Sequence, residues 1–473
     1  MDQYEIYVAG KFKTTSTELP VTNPFTGKVF ARTFLAGPDE LEDAITAGLK
    51  AESVLADMPV YRRYKILTDV SEAIRKDKDR LAGVLAMESG KPYRYALGEI
   101  LRAVQTFRIA AEESKRLPGE YLSIDWTEAG DGKEGWVKYF PVGLMAGISP
   151  FNFPLNLAVH KIAPALAAGN PIILKPARAT PLSVLELTRI LDKTGLPPGA
   201  VSVLPMDRQA GDQLVTDPRF KMLSFTGSPQ VGWKMKERAG KKKILLELGG
   251  NAGVIVTPSA DVSRAAGRCV TGGFAYSGQV CIHVQRIYVH EAVFDSFTRI
   301  FIEKVRKMKF GDPLDPGTEI SVMIDEENAA RVEAWVRESV DQGAEIILGG
   351  KKKGNYFEPT VLTRTASSMK VCSLEIFGPV VTLEKFSSFH DAVGMINDSR
   401  YGLQAGVFTN HLDEMNEAFN NLKVGGVIIN DVPIFRVDHM PYGGVKDSGF
   451  GREGIKYSIH EMMEPRLLVK NKV

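Results

Sequence analysis

The sequence is poor in the residues that build disulfide frameworks and zinc sites. Its 473 residues include three cysteines, Cys269, Cys281 and Cys372, and seven scattered histidines. An odd, sparse set of cysteines argues against a disulfide framework and for a reducing compartment. The chain has no CxxC pair and no His/Cys cluster at zinc-site spacing, so we expect no metal.

The sequence also lacks a strong excess of positive or negative charge, and it has no long apolar run. The formal net charge is +2, and hydrophobic residues make up 44%, an ordinary globular composition that gives no reason to expect nucleic acid or an anionic membrane surface. The longest apolar candidate, residues 142–151, is too short for a membrane span. The N-terminus lacks a basic region followed by an apolar run. These features predict a cytoplasmic protein with no nucleic-acid or membrane partner.

The chain is long enough for about three domains. Residues 4–34 hold short β-like runs, and helical patterns fill 38–117, including 64–88 and 95–117. From residue 141 to 256, short apolar runs alternate with helical patterns, which predicts a parallel sheet with right-handed crossovers. Such a sheet binds ligands beyond the C-terminal ends of its strands. A second α/β passage follows, from about 262 to 450.

Residues 119–140 interrupt this alternation. Two β-like runs, 121–124 and 136–140, flank the polar run 128–134, which predicts a hairpin. The tail 457–473 also ends in a β-like run, 466–470. An arm that reaches a neighbouring subunit is one interpretation, although composition alone would not show it.

Cys281 is a candidate nucleophile. It follows Ser-Gly-Gln-Val directly and precedes the β-like run 282–289. Gly278 can adopt backbone conformations that are unfavourable for other residues. A thiolate attacks carbonyl carbons well. The alternative is that Cys281 is a small buried apolar residue.

Two further motifs carry polar side chains suited to the same chemistry. Pro150-Phe-Asn152-Phe-Pro154 fixes one amide, which would suit a developing oxyanion, or is an ordinary Asn turn. Glu247 lies in an apolar strand before Gly249-Gly250. Burial would raise the pKa of Glu247 towards the range that suits a general base. The alternative is a structural role, which is usual for a lone Glu at a strand end.

Two strand ends could hold a dinucleotide. The run 225–232 passes from a strand through Gly227-Ser228 into a helix, whose N-terminus suits a pyrophosphate, although Ser228 could be an ordinary cap and the three-glycine fingerprint is absent. The strand before Lys175 could deliver that side chain to ribose hydroxyls, and Arg178 could pair with a 2′-phosphate. The alternative is two solvated surface charges.

Two turns complete the set: Glu375-Ile-Phe377-Gly-Pro, and the glycine-rich loop around Pro441-Tyr442-Gly443-Gly444. Together and in this order, the motifs at 150–154, 225–228, 247–250, 278–281 and 375–379 resemble those of the aldehyde dehydrogenase superfamily over nearly the whole chain. The run from Arg436 to Pro441 resembles the subgroup that handles lactaldehyde or phosphonoacetaldehyde. The resemblance implies an NAD(P)-dependent oxidoreductase with an α/β fold.

The resemblance also implies a mechanism. Cys281 would attack the aldehyde, the Asn152 amide and the Cys281 backbone N–H would hold the oxyanion, and a hydride would pass to the nicotinamide. Glu247 would activate the water that hydrolyses the thioester. Cys269 and Cys372 would be structural.

The cofactor, NADP or NAD, would be held by a larger set of residues. The resemblance places Glu375 at the nicotinamide ribose with Phe377 beside it, Lys175 at the adenosine ribose and Gly227-Ser228 at the pyrophosphate. The full implied set is Ile148, Ser149, Pro150, Phe151, Lys175, Arg178, Gly211, Phe225, Gly227, Ser228, Leu248, Gly249, Glu375 and Phe377. Members that prefer NAD often have Glu at the position of Arg178, so an Arg there predicts that NADP is accepted.

The substrate pocket is expected to involve Arg102, His160 and Arg436. Such a pocket would favour a small aldehyde with an anionic or hydroxyl group, similar to lactaldehyde, phosphonoacetaldehyde or a semialdehyde. The alternative is that Arg102 and Arg436 face solvent.

By the same resemblance, 1–118 with 141–247 would form a dinucleotide-binding domain and 248–450 an α/β catalytic domain. Segments 119–140 and 451–473 would form a β oligomerisation arm of a homodimer or homotetramer. Two other functions remain open. One is a CoA-acylating relative, against which Glu247 argues because water activation belongs to hydrolysis. The other is a non-catalytic structural protein that retains the fold.

Overall fold

The computed structural model describes residues 2–471; Met1, Lys472 and Val473, which belong to the predicted segments 1–118 and 451–473, lie outside the described residues. The chain begins with short strands, as the β-like runs predict. They are β1 (Asp2–Gln3), β2 (Ile6–Val8), β3 (Lys11–Lys13), β4 (Glu18–Thr22) and β5 (Val29–Phe34). β1, β5 and β4 form a three-stranded sheet of their own.

Four helices follow: α1 (Pro38–Ala56), α2 (Val60–Lys76), α3 (Lys78–Ser89) and α4 (Tyr93–Ser114). The predicted helical stretch 64–88 is therefore two helices. They divide at Asp77, whose φ of −104° and ψ of 14° lie outside the helical range. The α2–α4 layer packs on the helix that carries the oxyanion turn, described below, so it supports the site from behind.

A hairpin and the C-terminal strand form a separate three-stranded antiparallel sheet. Its hairpin strands are β6 (Gly119–Ser123) and β7 (Lys133–Pro141). Tyr121 pairs with Trp136 across the hairpin, and Trp136 pairs with Leu468 of the C-terminal strand, which runs from Met463 to Asn471. The predicted hairpin at 119–140 and the β-like tail are thus confirmed as one sheet.

Strands and helices then alternate as predicted. In chain order they are β8 (Met145–Ile148), α5 (Pro154–Ala168), β9 (Ile172–Lys175), α6 (Leu182–Leu191), β10 (Val201–Val203), α7 (Arg208–Thr216), β11 (Met222–Thr226), α8 (Pro229–Arg238) and β12 (Lys243–Glu247). The five strands are parallel, in the order β12-β11-β8-β9-β10. Their side chains are almost all buried, because helices cover both faces of such a sheet.

The second α/β passage begins with β13 (Ala252–Val256), α9 (Val262–Phe274), β14 (Val284–His290), α10 (Glu291–Arg306), α11 (Glu326–Asp341), β15 (Glu345–Leu348), β16 (Lys352–Lys353), β17 (Tyr356–Phe357), β18 (Thr360–Thr363) and α12 (Lys370–Ser373). It continues with β19 (Val380–Phe386), α13 (Phe389–Asn397), β20 (Tyr401–Gly402), β21 (Gln404–Phe408), α14 (Leu412–Asn421), β22 (Gly426–Ile429), β23 (Val445–Lys446), β24 (Gly449–Phe450), α15 (Ile455–Glu461) and β25 (Met463–Asn471). A seven-stranded sheet has the order β15-β18-β19-β14-β13-β21-β22, and all its neighbours except β15 pair in parallel.

The predicted parallel α/β fold is therefore confirmed, and antiparallel strands extend both edges of the five-stranded sheet. β24 pairs antiparallel with β12, so that Gly449 lies opposite Glu247, and the Leu248 amide donates to the Ser448 carbonyl at 3.0 Å. The β2–β3 hairpin extends the other edge of that sheet. The C-terminal loop is thereby held against the end of β12, where Glu247 lies.

Within residues 2–471, no helix is long and apolar enough to cross a membrane. Over the same range, no three His, Cys, Asp or Glu side chains come close enough together to hold a metal ion.

A buried ion pair fixes the start of α5, the helix that carries the predicted oxyanion turn. Lys91 and Glu99 have fully buried side chains, and the Lys91 ammonium donates to Glu99. The other Glu99 oxygen accepts from the backbone amides of Leu155 and Asn156, at 3.0 and 3.1 Å. A carboxylate at this end of a helix satisfies amides that have no partner within the helix and suits its dipole.

We expect E99Q to lower the free energy of unfolding by about 3–5 kcal/mol, because it leaves the Lys91 charge buried without a carboxylate. Urea unfolding measures the change. D69N is the matched control: it breaks the exposed Lys65–Asp69 pair, 2.8 Å long, and should change stability by at most about 0.5 kcal/mol. Equal stability of the two variants would contradict the role of the buried pair.

Candidate active site

The loop before Cys281 has an unusual backbone. Tyr276 and Ser277 have φ angles of 50° and 53°, and Gly278 follows with φ of 68°, so three consecutive residues lie in the left-handed region that non-glycine residues seldom adopt. A Cβ on Gly278 would lie 2.1 Å from the Gly378 carbonyl oxygen, which explains the glycine there. Cys281 lies three residues before β14 begins.

Side-chain hydrogen bonds hold this loop in place. The Ser277 hydroxyl donates to the Ser321 carbonyl at 2.7 Å, and the Tyr276 hydroxyl donates to the Ser89 carbonyl at 3.0 Å. Residues with a left-handed backbone conformation are stable only where several surrounding contacts fix them, and such positions are common at functional sites. The loop therefore presents Cys281 from a fixed frame.

The Cys281 thiol is half-buried and lies 3.3 Å from the Tyr442 hydroxyl oxygen. Burial raises the pKa of Cys281 to about 11, and the hydrogen bond from Tyr442 opposes that rise. At neutral pH most of the thiol is therefore protonated in the free protein. A thiolate has to be generated before it can attack a carbonyl carbon.

Asn152 lies in the turn before α5 and is buried. Its side-chain amide donates to the Gln279 carbonyl at 2.9 Å, which ties the turn to the loop that carries Cys281. A primary amide has two hydrogens, so one remains for a further acceptor.

Glu247 ends β12 and is 3% exposed. Neither of its carboxylate oxygens has a hydrogen-bond partner among residues 2–471. Burial, and then the neighbouring Glu453 carboxylate, raises the pKa of Glu247 well above its usual range. A buried acid without partners is costly unless it has a task, and a raised pKa suits an acid that takes up and releases protons near neutral pH.

A network of buried charges lies beside Glu247. Lys161 donates to the Thr226 hydroxyl at 2.7 Å and to Glu453 at 3.3 Å, and Arg436 donates to Glu453 at 2.9 Å. Although burial opposes it, Lys161 and Arg436 hold the pKa of Glu453 at about 2. Glu453 thus favours its ionised form far more strongly than Glu247 does.

Cys281, Asn152 and Glu247 line one cavity of about 460 Å³. Eight of the predicted cofactor residues line the same cavity. They are Pro150, Phe151, Gly227, Ser228, Leu248, Gly249, Glu375 and Phe377. The structure therefore brings the predicted catalytic residues and most of the predicted cofactor residues to one place.

One wall of this cavity is the start of α8. Ser228 is exposed and occupies the N-cap position, but its side chain makes no capping hydrogen bond. A Cβ on Gly227 would lie 2.5 Å from the Phe225 ring. Any side chain at this position would therefore collide with the ring, which explains the glycine. This helix terminus has the free amides and the positive dipole end that suit a phosphate group.

The opposite wall carries Glu375. Its carboxylate accepts from the Gly250 amide at 3.0 Å, and burial raises its pKa to about 7. A Cβ on Gly249 would lie 2.1 Å from that carboxylate. Phe377 has a left-handed φ of 44° and meets the Phe151 ring edge-on at 5.9 Å.

The remaining predicted cofactor residues lie outside this lining: Ile148, Ser149, Lys175, Arg178, Gly211 and Phe225. Ile148 pairs with Lys175 across β8 and β9, and the Ser149 amide donates to the Lys175 carbonyl at 3.1 Å. The Lys175 stem lies against α7, where a Cβ on Gly211 would be 2.8 Å from its Cε. Arg178 is exposed. Except for Gly211, which belongs to α7, these residues lie at or just after the C-terminal ends of the neighbouring parallel strands β8, β9 and β11.

The three predicted substrate residues form one cluster around His160 and Asp438, away from the cavity lining. Arg102 donates to Asp438 at 2.6 Å, His160 lies 2.8 Å from the same oxygen, and Arg436 lies 3.5 Å from the other His160 nitrogen. The Arg436 side chain is 6% exposed, so the solvent-facing alternative is wrong for Arg436. Arg102 is 30% exposed and paired. Burial lowers the pKa of His160.

Four charged or polar residues that contact the predicted site residues or their partners had no predicted role: Lys161, Asp438, Tyr442 and Glu453. Tyr442 and Glu453 belong to the glycine-rich loop and the segment after it, and Asp438 to the run after Arg436, so the motifs contained the signal. Nothing in the sequence shows that these segments fold back onto β12 or that Lys161 is buried.

A family model described as the aldehyde dehydrogenase family matches residues 12–468. The chain is 42% identical over 470 residues to a 3-sulfolactaldehyde dehydrogenase of Priestia megaterium, with 99% of this chain and 98% of the relative covered. It is 38% identical to a lactaldehyde dehydrogenase of Methanococcus aeolicus, with 96% and 97% covered.

Solved structures agree with these matches. Aldehyde dehydrogenase 21 of Physcomitrella patens, in complex with its reaction product succinate, superposes with a TM-score of 0.98 at 45% identity, covering 100% of this chain and 99% of the other. The glyceraldehyde-3-phosphate dehydrogenase GapN of Methanocaldococcus jannaschii, complexed with NADP, superposes with a TM-score of 0.93 at 36% identity, covering 97% and 100%. The resemblance read from the motifs is confirmed.

Proposed function

The chain belongs to the aldehyde dehydrogenase family and is an NAD(P)-dependent aldehyde dehydrogenase; we propose that Cys281 is its nucleophile and that its substrate is a small polar or anionic aldehyde. One observation carries the proposal. Cys281, Asn152 and Glu247 line a single cavity, and Glu247 has no hydrogen-bond partner within the described part of the chain. A nucleophile, an oxyanion donor and a base are the three groups that this oxidation requires.

The residues act in sequence. The Cys281 thiolate forms a bond to the aldehyde carbon, and the carbonyl electron pair moves to oxygen. The free N–H of Asn152 and the backbone N–H of Cys281 donate to that oxyanion. Bound NAD(P)+ supplies the oxidant that accepts the hydride leaving this carbon. Glu247 then takes a proton from the water that attacks the thioester, the C–S bond breaks, and the carboxylate product leaves.

The residues present fit the cofactor. The amides at the start of α8, after Gly227 and Ser228, suit the pyrophosphate, and the unused Ser228 hydroxyl is available to it. Glu375 would accept from the nicotinamide ribose, with Phe377 beside it, and Lys175 would donate to the adenosine ribose. Gly227, Ser228, Glu375 and Phe377 line the same cavity as Cys281, and Lys175 lies outside that lining at the end of β9.

Charge supports an anionic or hydroxylated substrate. Among residues 2–471, the ion pairs of Arg102, Arg436 and Lys161 are with two carboxylates, Asp438 and Glu453. The Nε atoms of Arg102 and Arg436 are buried without a partner among residues 2–471, so neither N–H is used by the described protein groups. The relatives are named for sulfonated, hydroxylated and phosphorylated aldehydes or hold a dicarboxylate product.

The decisive experiment follows the near-ultraviolet absorbance of reduced cofactor. We expect turnover of short aldehydes with NADP or NAD, with higher kcat/KM for sulfolactaldehyde, lactaldehyde or succinate semialdehyde than for propanal. Equal efficiency with propanal would remove the substrate proposal and leave the Cys281 chemistry. E247Q should release about one equivalent of reduced cofactor per site and then turn over about 10²–10⁴-fold more slowly. C281S, which lacks the thiol, should release none.

E247Q also separates the rival functions. In a CoA-acylating enzyme the thioester passes to a thiol, so CoA rather than Glu247 would limit wild-type turnover. Strict dependence of wild-type turnover on CoA would favour that rival. A non-catalytic protein would give no cofactor reduction with any aldehyde.

Arg178 supports a preference for NADP, because an exposed guanidinium can pair with the 2′-phosphate. We expect R178E to lower the ratio of NADP to NAD efficiency by about ten- to a hundredfold, since it replaces an attraction by a repulsion. Kinetics with both cofactors measure the ratio. R337E, on the exposed face of α11, is the charge-matched control, and an unchanged ratio in R178E would remove the proposal.

The predicted division of the chain stays a proposal: 1–118 with 141–247 bind the dinucleotide, 248–450 form the catalytic domain, and 119–140 with 451–473 form the arm. The change from one sheet to the other between Glu247 and Ala252 supports it. Three free cysteines, two of them buried, support a reducing, cytoplasmic location.

The arm supports a homodimer or homotetramer. Tyr121, Trp136 and Leu468 lie in register across its three strands and are 56%, 48% and 55% exposed, an apolar row typical of an interface. Sedimentation velocity should show an oligomer for the wild type and a monomer for W136E/L468E, because charges in this row would be buried unpaired. A monomeric wild type at micromolar concentration would overturn the inference.

A further inference from the structure

Tyr442 contacts the reacting atom of the site. Its hydroxyl oxygen lies 3.3 Å from the Cys281 sulfur, and the residue is 3% exposed. The loop that carries it follows β22 and is held against the end of β12 by the pairing of β24. A Cβ on the next residue, Gly443, would lie 2.8 Å from a Glu247 carboxylate oxygen. Tyr442 is therefore fixed between the predicted nucleophile and the predicted base.

The ring of Tyr442 is fixed from its other side. The Arg436 guanidinium lies 3.6 Å from the ring centroid, and the same guanidinium is held by Glu453 at 2.9 Å. Stacking between an arginine and an aromatic ring is favourable and directional. The hydroxyl thus has little freedom to leave the sulfur.

We propose that Tyr442 is a further catalytic residue of this enzyme, whose hydroxyl donates a hydrogen bond to the Cys281 sulfur and stabilises the thiolate that attacks the aldehyde. The inference rests on the proposed role of Cys281 as nucleophile. Hydrogen bonds to an ionised acceptor are about twice as strong as those between neutral groups, so the contact favours the thiolate over the thiol.

The direction of the hydrogen bond follows from the acidities. Burial, and then the nearby Cys281, raises the pKa of Tyr442 well above its usual range, so the hydroxyl keeps its proton. The other titratable or charged groups that act on the Cys281 thiol are Glu375, Arg436 and Glu247. The two carboxyl groups raise the pKa of the thiol and Arg436 lowers it. Once the thiol has lost its proton, the sulfur can only accept, so Tyr442 is the hydrogen-bond donor to the thiolate.

The step balances without any redox partner. The S–H bond breaks and its proton passes to water, while the electron pair stays on sulfur and accepts the Tyr442 hydrogen. When the thiolate attacks, that pair forms the C–S bond and the carbonyl π pair moves to oxygen. Tyr442 keeps its proton throughout and gives up its hydrogen bond to sulfur as the charge moves away.

The test is alkylation of Cys281 by iodoacetamide between pH 7 and 10, in wild type and Y442F. In both proteins the rate should rise about tenfold per pH unit, because the thiol pKa lies above this range. Loss of the hydroxyl should raise that pKa by about one unit. Because thiolate nucleophilicity rises with pKa, the net rate should fall about threefold at each pH.

Y442F should fold, because Phe keeps the ring and removes one oxygen, and a melting curve checks this. Y61F, at a tyrosine 70% exposed, controls for a remote change, and C281S gives the background rate. With an aldehyde that the wild type oxidises, the kcat/KM of Y442F should fall by at least the same factor as the alkylation rate. An unchanged alkylation rate at every pH overturns the proposal, and so does a raised KM alone, which would place Tyr442 on the substrate.

The two proposals fail separately. Alkylation needs no turnover, so slower alkylation of Y442F would stand even if no aldehyde were oxidised. Equal alkylation rates in a protein that oxidises aldehydes would remove Tyr442 and leave Cys281 in place. If Y442F melted much lower than the wild type, binding of NADP followed by fluorescence would show whether the site persists, and the KM-against-kcat comparison would still decide.

Discussion

The ion pair between Lys91 and Glu99 supports both sides of the site. Glu99 holds the first amides of α5, which fixes the turn that carries Asn152. The Lys91 ammonium lies 3.8 Å from the centroid of the Phe153 ring and 4.5 Å from that of Tyr276. Phe153 belongs to the oxyanion turn and Tyr276 to the nucleophile loop. A single buried cation therefore sets the relative position of the two segments, and the Asn152–Gln279 hydrogen bond completes their contact.

The acid chemistry of the site depends on how charge is shared. Two buried carboxyl groups, Glu247 and Glu453, act on each other, and only Glu453 makes direct contact with Lys161 and Arg436. Their pKa values therefore move in opposite directions. Pairs of acids separated in this way commonly divide their roles. Glu453 neutralises cations permanently, and that leaves Glu247 free to exchange protons with water.

The sequence predicts the parts of this molecule that depend on short-range pattern. Strand–helix alternation predicts the parallel sheets, and the motifs predict Cys281, Asn152 and Glu247, which share one cavity. Contacts between distant segments are a different matter. The pairing of β24 with β12, the burial of Arg436 and the contact of Tyr442 with Cys281 join segments that lie far apart along the chain. The pattern of apolar residues within one segment does not predict which distant segment it contacts. The division of helix 64–88 at Asp77 was missed because a single non-helical residue leaves the apolar spacing almost unchanged.

These contacts between distant segments have a consequence for the synthesis of the protein on the ribosome. A nascent chain of 400 residues already contains Asn152, Glu247 and Cys281, but it lacks Arg436, Tyr442, Glu453 and the strand β24 that closes the wall behind Glu247. Domains fold as they emerge from the ribosome, N-terminal parts first. Cys281 is thus made early, whereas Arg436, Tyr442 and Glu453, which tune it or its neighbours, are translated much later. Translation that stops before Glu453 leaves a cysteine without its site, so competence for chemistry waits for residues that follow the nucleophile by more than 150 positions.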